Sequence, residues 1–354
     1  MNRLTLLLSF IAIVLLSGAC GDKKKKSYDE IGESGLTTRT ENLQANLRTF
    51  ANKGTIVGQQ YGTLEGIGWK ADTVEQSDIR SICNDGPACS GYELAGLERG
   101  QKVNSDSVAF SDIRTDVLRL FRRGGLVLMS WSAPDYKGDE KVLDTWLSHI
   151  ATYLESLQDE YGIKAPVVLF LYPLRQDTWY AKLSPEDYKT LYGHSLNKLR
   201  DLGVTNAIFG MSYSDDMPVS QVEASMPEGI DVLQVSVLRP GTTSVTTAAY
   251  HSALDSGVQH LMRLSRERNL AAGLNAGLEG LPTTDCFMGV LQPLLRSQRL
   301  AYLLMGPNRG DIDGGHYYVP FPGLDNERIN DFVDFYNDES TVLIGTLNGL
   351  YLRK

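Results

Sequence analysis

Residues 170–179, FLYPLRQDTW, close an apolar run at Pro173 and follow it with Arg175, Gln176, Asp177, Thr178 and Trp179. Sugars present flat C–H faces on which indole rings stack, and hydroxyls that pair with amides and hydroxyls. Polar groups beside a tryptophan at the end of an apolar run therefore point to sugar recognition. Trp131-Ser132 ends a second run, GLVLMSWS, and Asn275 lies in a third, AAGLNAG. Gln176 is the group of the first cluster best placed for acid–base work, yet it is an amide. It holds no titratable proton near neutral pH.

These residues need elements to converge them. Eight apolar runs, at 55–60, 88–93, 125–132, 165–173, 206–213, 231–238, 271–277 and 300–306, alternate with stretches of helical periodicity. FSDIRTDVLRLFRR suggests a helix capped by Ser111, and EKVLDTWLSHIATYLESLQDEYG one ending at Gly162. SPEDYKTLYGHSLNKLRDLG has proline at the first helical position and acids in the first turn. Near-continuous apolar strands separated by helices imply a parallel sheet buried on both faces. Eight such units predict an α/β fold, a single-domain (β/α)8 TIM barrel. A doubly wound sheet is the alternative, but no glycine-rich phosphate loop follows the first strand; GTLEGIGW has the wrong spacing. The tail TVLIGTLNGLYLRK reads as a strand pair outside the barrel.

In such a barrel chemistry sits where strands end. Those ends carry Gln59, Gln60, Tyr61, Glu93, Trp131, Ser132, Arg175, Gln176, Tyr213, Leu238, Asn275, Gly306, Pro307 and Asn308. Amides, hydroxyls and rings dominate.

The 354 residues are 42% hydrophobic and 22% charged with net charge −9, which argues against nucleic acid as a partner. Asn2-Arg3, an apolar run over 4–16 and SGAC read as a signal peptide over 1–19. Small residues before Cys20 resemble a lipobox, with Cys20 the lipidated residue. Residues 20–36, beginning CGDKKKKSYDE, read as that cysteine and a flexible tether, leaving 37–354 for the barrel. This predicts a lipoprotein of the bacterial cell envelope, placed in the outer membrane. Cys83 and Cys89 could close a disulfide around CNDGPAC or stay free thiols. No cysteine pair has metal-ligand spacing and the five histidines are scattered, so no metal is expected.

The chain resembles glycoside hydrolase family 26, whose main activity is endo-β-1,4-mannanase. The carriers are GQQYGTLEGIGWK with Trp69, GPACSGYELAGLERG, RRGGLVLMSWSAPD, APVVLFLYPLRQDTWYA, NLAAGLNAGLEGLP, and GGHYYVPFPG followed by DFVDFYND. The resemblance covers most of the chain after about Thr38. It implies a (β/α)8 barrel, a retaining mechanism, and a glycan partner held by Trp69, Trp131, Ser132, Arg175, Gln176, Trp179 and Asn275. Family members carry an acid/base glutamate after the fourth strand and a nucleophilic glutamate after the seventh. Here Gln176 stands at the first position and Asn275 at the second. Arg175 and Ser132 stand where the family has histidines, and Leu238 where it has a tyrosine near the nucleophile. Retaining hydrolysis needs two carboxyls, so catalytic residues are expected to be absent.

The resulting expectation is a lipid-anchored, non-catalytic protein without cofactor. It would bind a polysaccharide or oligosaccharide, by default β-mannan, at the cell envelope, with glycan-uptake proteins as further candidate partners. The alternative is an active endo-β-glycanase with relocated carboxylates such as Glu279, four residues beyond Asn275. Asp177 should point away from the cleft by strand alternation. Glu93 should be a structural hydrogen-bond partner, and His194, His251 and His260 packed or solvated. His316 lies in a loop expected at the barrel mouth.

Overall fold

The structure, a computed structural model, describes residues 29–71, 76–240 and 247–353. The signal peptide, Cys20 and the first part of the tether lie outside the described residues. The eight apolar runs form the eight strands of a parallel barrel. They are β1 (Thr55–Gln59), β2 (Cys89–Glu93), β3 (Leu126–Trp131), β4 (Val167–Leu171), β5 (Ala207–Ser214), β6 (Val232–Arg239), β7 (Ala271–Leu278) and β8 (Tyr302–Met305). A two-residue strand, β9 (Thr341–Val342), adds outside β1. The order is β9-β1-β8-β7-β6-β5-β4-β3-β2, and the seam closes where Ala88 N–H donates to Val57 C=O (2.8 Å) and Tyr61 N–H to Gly91 C=O (3.3 Å). At that seam the chains approach so closely that a Cβ on Gly58 would sit 1.8 Å from the Cys89 carbonyl oxygen.

The strands are buried on both faces because helices cover the outside and side chains fill the inside. The helices are α1 (Thr38–Phe50), α2 (Asp78–Cys83), α3 (Phe110–Arg122), α4 (Glu140–Ser156), α5 (Pro185–Asp201), α6 (Val219–Ser225), α7 (Thr247–Arg268), α8 (Gln292–Ser297) and α9 (Asn326–Tyr336). The interior mixes large and absent side chains. Tyr302 fills the space over Gly273, and Phe170 the space over Gly210; a Cβ at either glycine would collide with the ring.

Helix α1 crosses the N-terminal ends of the strands. Thr37 N–H, at its cap, bonds Thr205 C=O before β5 (2.9 Å). Gln44 reaches Asp231 before β6 (2.6 Å), and Arg48 reaches the Asn269 carbonyl before β7 (3.1 Å). Buried Asn46 donates to the carbonyls of Gly349, Leu350 and Leu352, tying the first helix to the chain's tail. That end of the barrel is therefore plugged, and the other end stays open.

Local expectations need four corrections. Ser111 is the second residue of α3, not its cap; the cap position is Ala109, with no side-chain bond. Helix α4 ends at Ser156, and Gly162 closes a separate turn in which Asp159 accepts from the Tyr161 and Ile163 N–H groups. The tail contributes one short strand and turns rather than a strand pair. Residues 29–36, read as the end of a flexible tether, are held: Asp29 accepts from the Lys164 N–H (2.6 Å) and Leu36 is buried. Cys83 and Cys89 are free thiols. Asn84, at φ 55°, turns the chain after α2, while Cys89 starts β2 with its sulfur directed at carbonyls of Ile56 and Leu303. The Cys89 sulfur thus points into the barrel interior, and burial pushes the Cys83 thiol up to about 12.

Candidate functional site

A cavity of about 170 Å³ opens at the carboxyl ends of the strands. Strand alternation decides what reaches it. Along β3, Leu128 and Ser130 line the cavity and Ser132 follows them. Trp131, between the two serines, must point outward. It is fully buried beneath the helical layer, its Nε1–H donating to Glu98 (3.2 Å) and its ring packed on Tyr172. An indole with no exposed face cannot stack on a sugar, so the expectation for Trp131 is corrected.

The other two tryptophans of the expected site are also occupied. Trp179 is half-buried, donates to the Ala133 carbonyl (2.9 Å) and packs edge-on against Tyr136 and Tyr180. Trp69 lies on the hairpin of Glu65–Gly66 and Trp69–Lys70 and donates to Asp78 (2.7 Å). Neither lines the cavity. Both were expected to hold the glycan; the structure places them on loops at the barrel mouth, outside the cavity lining.

Of the expected binding residues, the structure brings Ser132, Arg175 and Asn275 to the cavity. Gln176 stays at its edge, exposed, donating to the Asp216 carbonyl after β5 (2.6 Å). Asp177 points outward and pairs with Arg175 (3.1 Å). Leu238 lines the wall.

Sequence reasoning missed the polar layer beneath. Ser212, Gln234 and Ser236 line the cavity. The Tyr302 hydroxyl donates to Gln234 (2.8 Å), which donates to Ser212 (2.9 Å). Asn275 donates to Ser236 (3.3 Å), while its Oδ1 has no partner. A polar residue at every second position of an apolar run, as in DVLQVSVL, was the signal. Tyr318 was missed too: its ring lies over Gly277 and Gly306, where a Cβ would come within 2.6 Å of it. It places an aromatic over the ends of β7 and β8, and burial with the nearby Glu279 pushes its phenol up to about 12.

Among the described residues lining the cavity, Glu93 is the one carboxylate. One oxygen accepts from the N–H groups of Leu94, Ala95 and Ser132, and the other from the Ser132 hydroxyl (2.8 Å). Burial pushes its carboxyl above the ordinary range, and the bonds from Ser132 and Ala95 pull it back. A carboxylate so engaged holds the β2 and β3 ends together. Glu279, on the loop after β7, is paired with His316 Nδ1 and lies outside the cavity wall. His194 pairs with Asp144 (2.9 Å) and His251 faces Asp255 (3.8 Å), both on outer helices.

Among the described residues the arrangement offers hydroxyl and amide groups to a polar ligand, one guanidinium at the rim, and no pair of free carboxyls. No family model matches the chain. Solved structures do. A family 26 β-mannanase from Bacteroides ovatus is 26% identical with a TM-score of 0.82, the alignment covering 90% of this chain and 98% of that one. A family 26 protein from a Muricauda species is 21% identical (TM-score 0.77; 90% and 94% covered). The catalytic domain of a Bacillus family 26 endo-β-1,4-mannanase is 20% identical (TM-score 0.76; 93% and 98% covered). The chain has a (β/α)8 barrel of the glycoside hydrolase family 26 kind, in agreement with the resemblance seen in its motifs.

Proposed function

We propose that this is a lipid-anchored member of the cell envelope that binds a glycan without cleaving it, β-mannan being the first ligand to try. The observation that carries the reading is the state of the acids. Retaining hydrolysis requires a proton donor and a nucleophile about 5–5.5 Å apart. Among the described residues the cavity holds a single carboxylate, Glu93, with four hydrogen bonds to β2, β3 and their loops. Asn275 faces the cavity as an amide, and Gln176, also an amide, is turned toward the Asp216 carbonyl. Binding needs only hydrogen bonds and apolar contact, and the cavity keeps both. The solved neighbours named as mannanases support a β-linked glycan as the ligand class.

The test pairs two measurements on the purified chain. Reducing-sugar release from β-mannan is expected to stay at background, and affinity electrophoresis in mannan gels is expected to show retardation. Turnover by the wild-type chain that vanishes in Glu279→Gln would establish the rival, an active glycanase using the loop carboxylate.

A further inference from the structure

At the plugged end of the barrel, opposite the cavity, lies a second depression of about 290 Å³. It is walled by the end of α1, the end of α7, and the starts of β7 and β8. Three arginines reach it: Arg48, Arg266 and Arg299. Among the described residues none of the three forms an ion pair. Arg48 donates to the Asn269 carbonyl and Arg299 to the Asn52 side chain. Asp231 feels the charge of Arg48 from a distance, its carboxylate already taken by Gln44. Among the described residues no acid belongs to the wall. Ser265 does belong to it; its hydroxyl is buried and has no partner, in a residue only 2% exposed.

Three unpaired guanidinium groups around a donor that lacks an acceptor describe a site for an oxyanion. Arginine forks match phosphate geometry, and charge-assisted bonds to phosphate are the stronger kind. A chain of net charge −9 that concentrates unpaired cations at one spot repels anions elsewhere and receives them there.

Position says which phosphate. The described chain begins at Asp29, held at the start of β4 by the Lys164 N–H, and Thr37 is held at the start of β5. The chain therefore enters at the same end of the barrel as the arginine depression. Asp29 is nine positions after Cys20, a span of at most about 30 Å when fully extended. Four lysines, Lys23 to Lys26, lie in that span. We propose that the Arg48–Arg266–Arg299 depression binds the phosphate of a membrane lipid headgroup, so that the plugged end rests on the membrane and the glycan cavity points away from it. The membrane part of this proposal rests on the lipid-anchored reading of Cys20; the phosphate site itself does not.

The experiment uses the full chain carrying Cys20→Ser, which cannot be acylated. It is mixed with vesicles of phosphatidylcholine alone or with phosphatidylglycerol added, and sedimented. The exposed Arg266 side chain makes no hydrogen bond or ion pair among the described residues, so Arg266→Glu tests the site with little disturbance of packing; Arg48→Gln/Arg266→Gln/Arg299→Gln completes the series. Whatever the N-terminal apolar run does is common to every variant. The expected result is tighter binding to the anionic vesicles, weakened about fivefold for each arginine neutralised, with no change on neutral vesicles. In parallel, inorganic phosphate is titrated against the thermal midpoint at constant ionic strength. A phosphate-dependent rise that disappears in the variants, with vesicle binding indifferent to them, would keep the oxyanion site and overturn the membrane orientation. Variants matching the parent in both assays would overturn the site. Fatty-acid labelling of the wild-type chain separately tests the anchor: an unlabelled Cys20 with intact arginine-dependent vesicle binding would sink the anchored reading and leave the site standing.

Discussion

At the scale of single residues, the cavity is built by parity. Ser130 and Ser132, Ser212, Gln234 and Ser236, and Asn275 all sit at inward positions of otherwise apolar strands. That pattern is written in the sequence at a period of two, and it fixes Trp131 as an outward residue because it lies between two inward serines. Tryptophan at a strand end was read as a platform because chemistry in barrels gathers there, but orientation is set by register, not by position along the strand. Tyr213 sits between the inward residues Ser212 and Ser214, so its ring points outward beneath the helices, where its phenol feels the charge of Arg263 on α7 and has no hydrogen-bond partner. A buried hydroxyl without a partner contributes nothing to stability, so Tyr213→Phe is expected to leave the denaturation midpoint unchanged or slightly higher. Because the hydroxyl faces the helices and not the cavity, the same change is expected to leave glycan binding unchanged; weakened binding would overturn the parity by which the cavity is read. Glu93 gives a pH test. Its carboxyl is raised in the folded state by burial, so the folded protein holds that proton more tightly than the unfolded chain. Its contribution to stability is then fully present below the ordinary glutamate pKa of about 4.3 and is lost as pH rises through the raised value. Subtracting the stability profile of Glu93→Gln from that of the wild type should leave a difference with this sign. A flat difference would show that the four hydrogen bonds cancel the effect of burial.

At the scale of elements, the eight strands were legible because burial on both faces makes each a continuous apolar run, bounded by polar segments. Helix ends were less legible. Ser111 and Gly162 are good capping residues by type, yet the chain uses Ala109 and stops α4 at Ser156, since the strands that follow must start where the barrel needs them. Helix α1 was not legible at all. Its sequence TRTENLQANLRTF has few apolar residues, and its partners are carbonyls some three hundred positions away. Local periodicity carries no trace of them. Asn46 makes this concrete, being buried and donating to Gly349, Leu350 and Leu352. Asn46→Ala would strand carbonyls in a buried place, and the expected loss is about 1–3 kcal/mol in chemical denaturation. A loss below about 0.5 kcal/mol would mean that water replaces the amide and that α1 plugs the barrel by its leucines alone.

At the scale of the whole molecule, two ends of one barrel carry two different chemistries. The open end holds hydroxyls, amides and a satisfied carboxylate; the plugged end holds the chain's entry point and the unpaired arginines. A barrel separates these ends by the length of its strands, so what happens at the entry point has no path into the cavity except through a rigid, close-packed core. On the proposed reading this makes anchoring and glycan binding separable, which a single mutation can check. Cys20→Ala removes the thiol that acylation needs. The chain is then expected to leave the membrane fraction, because one patch of basic residues holds a protein to an anionic surface only weakly and is screened by salt. Glycan binding by the released chain, measured on mannan gels beside the anchored form, is expected to be unchanged. Continued pelleting with membranes after a high-salt wash would overturn lipidation at Cys20. Release accompanied by loss of binding would instead show that the two ends are coupled, against the rigidity that the plugged barrel implies.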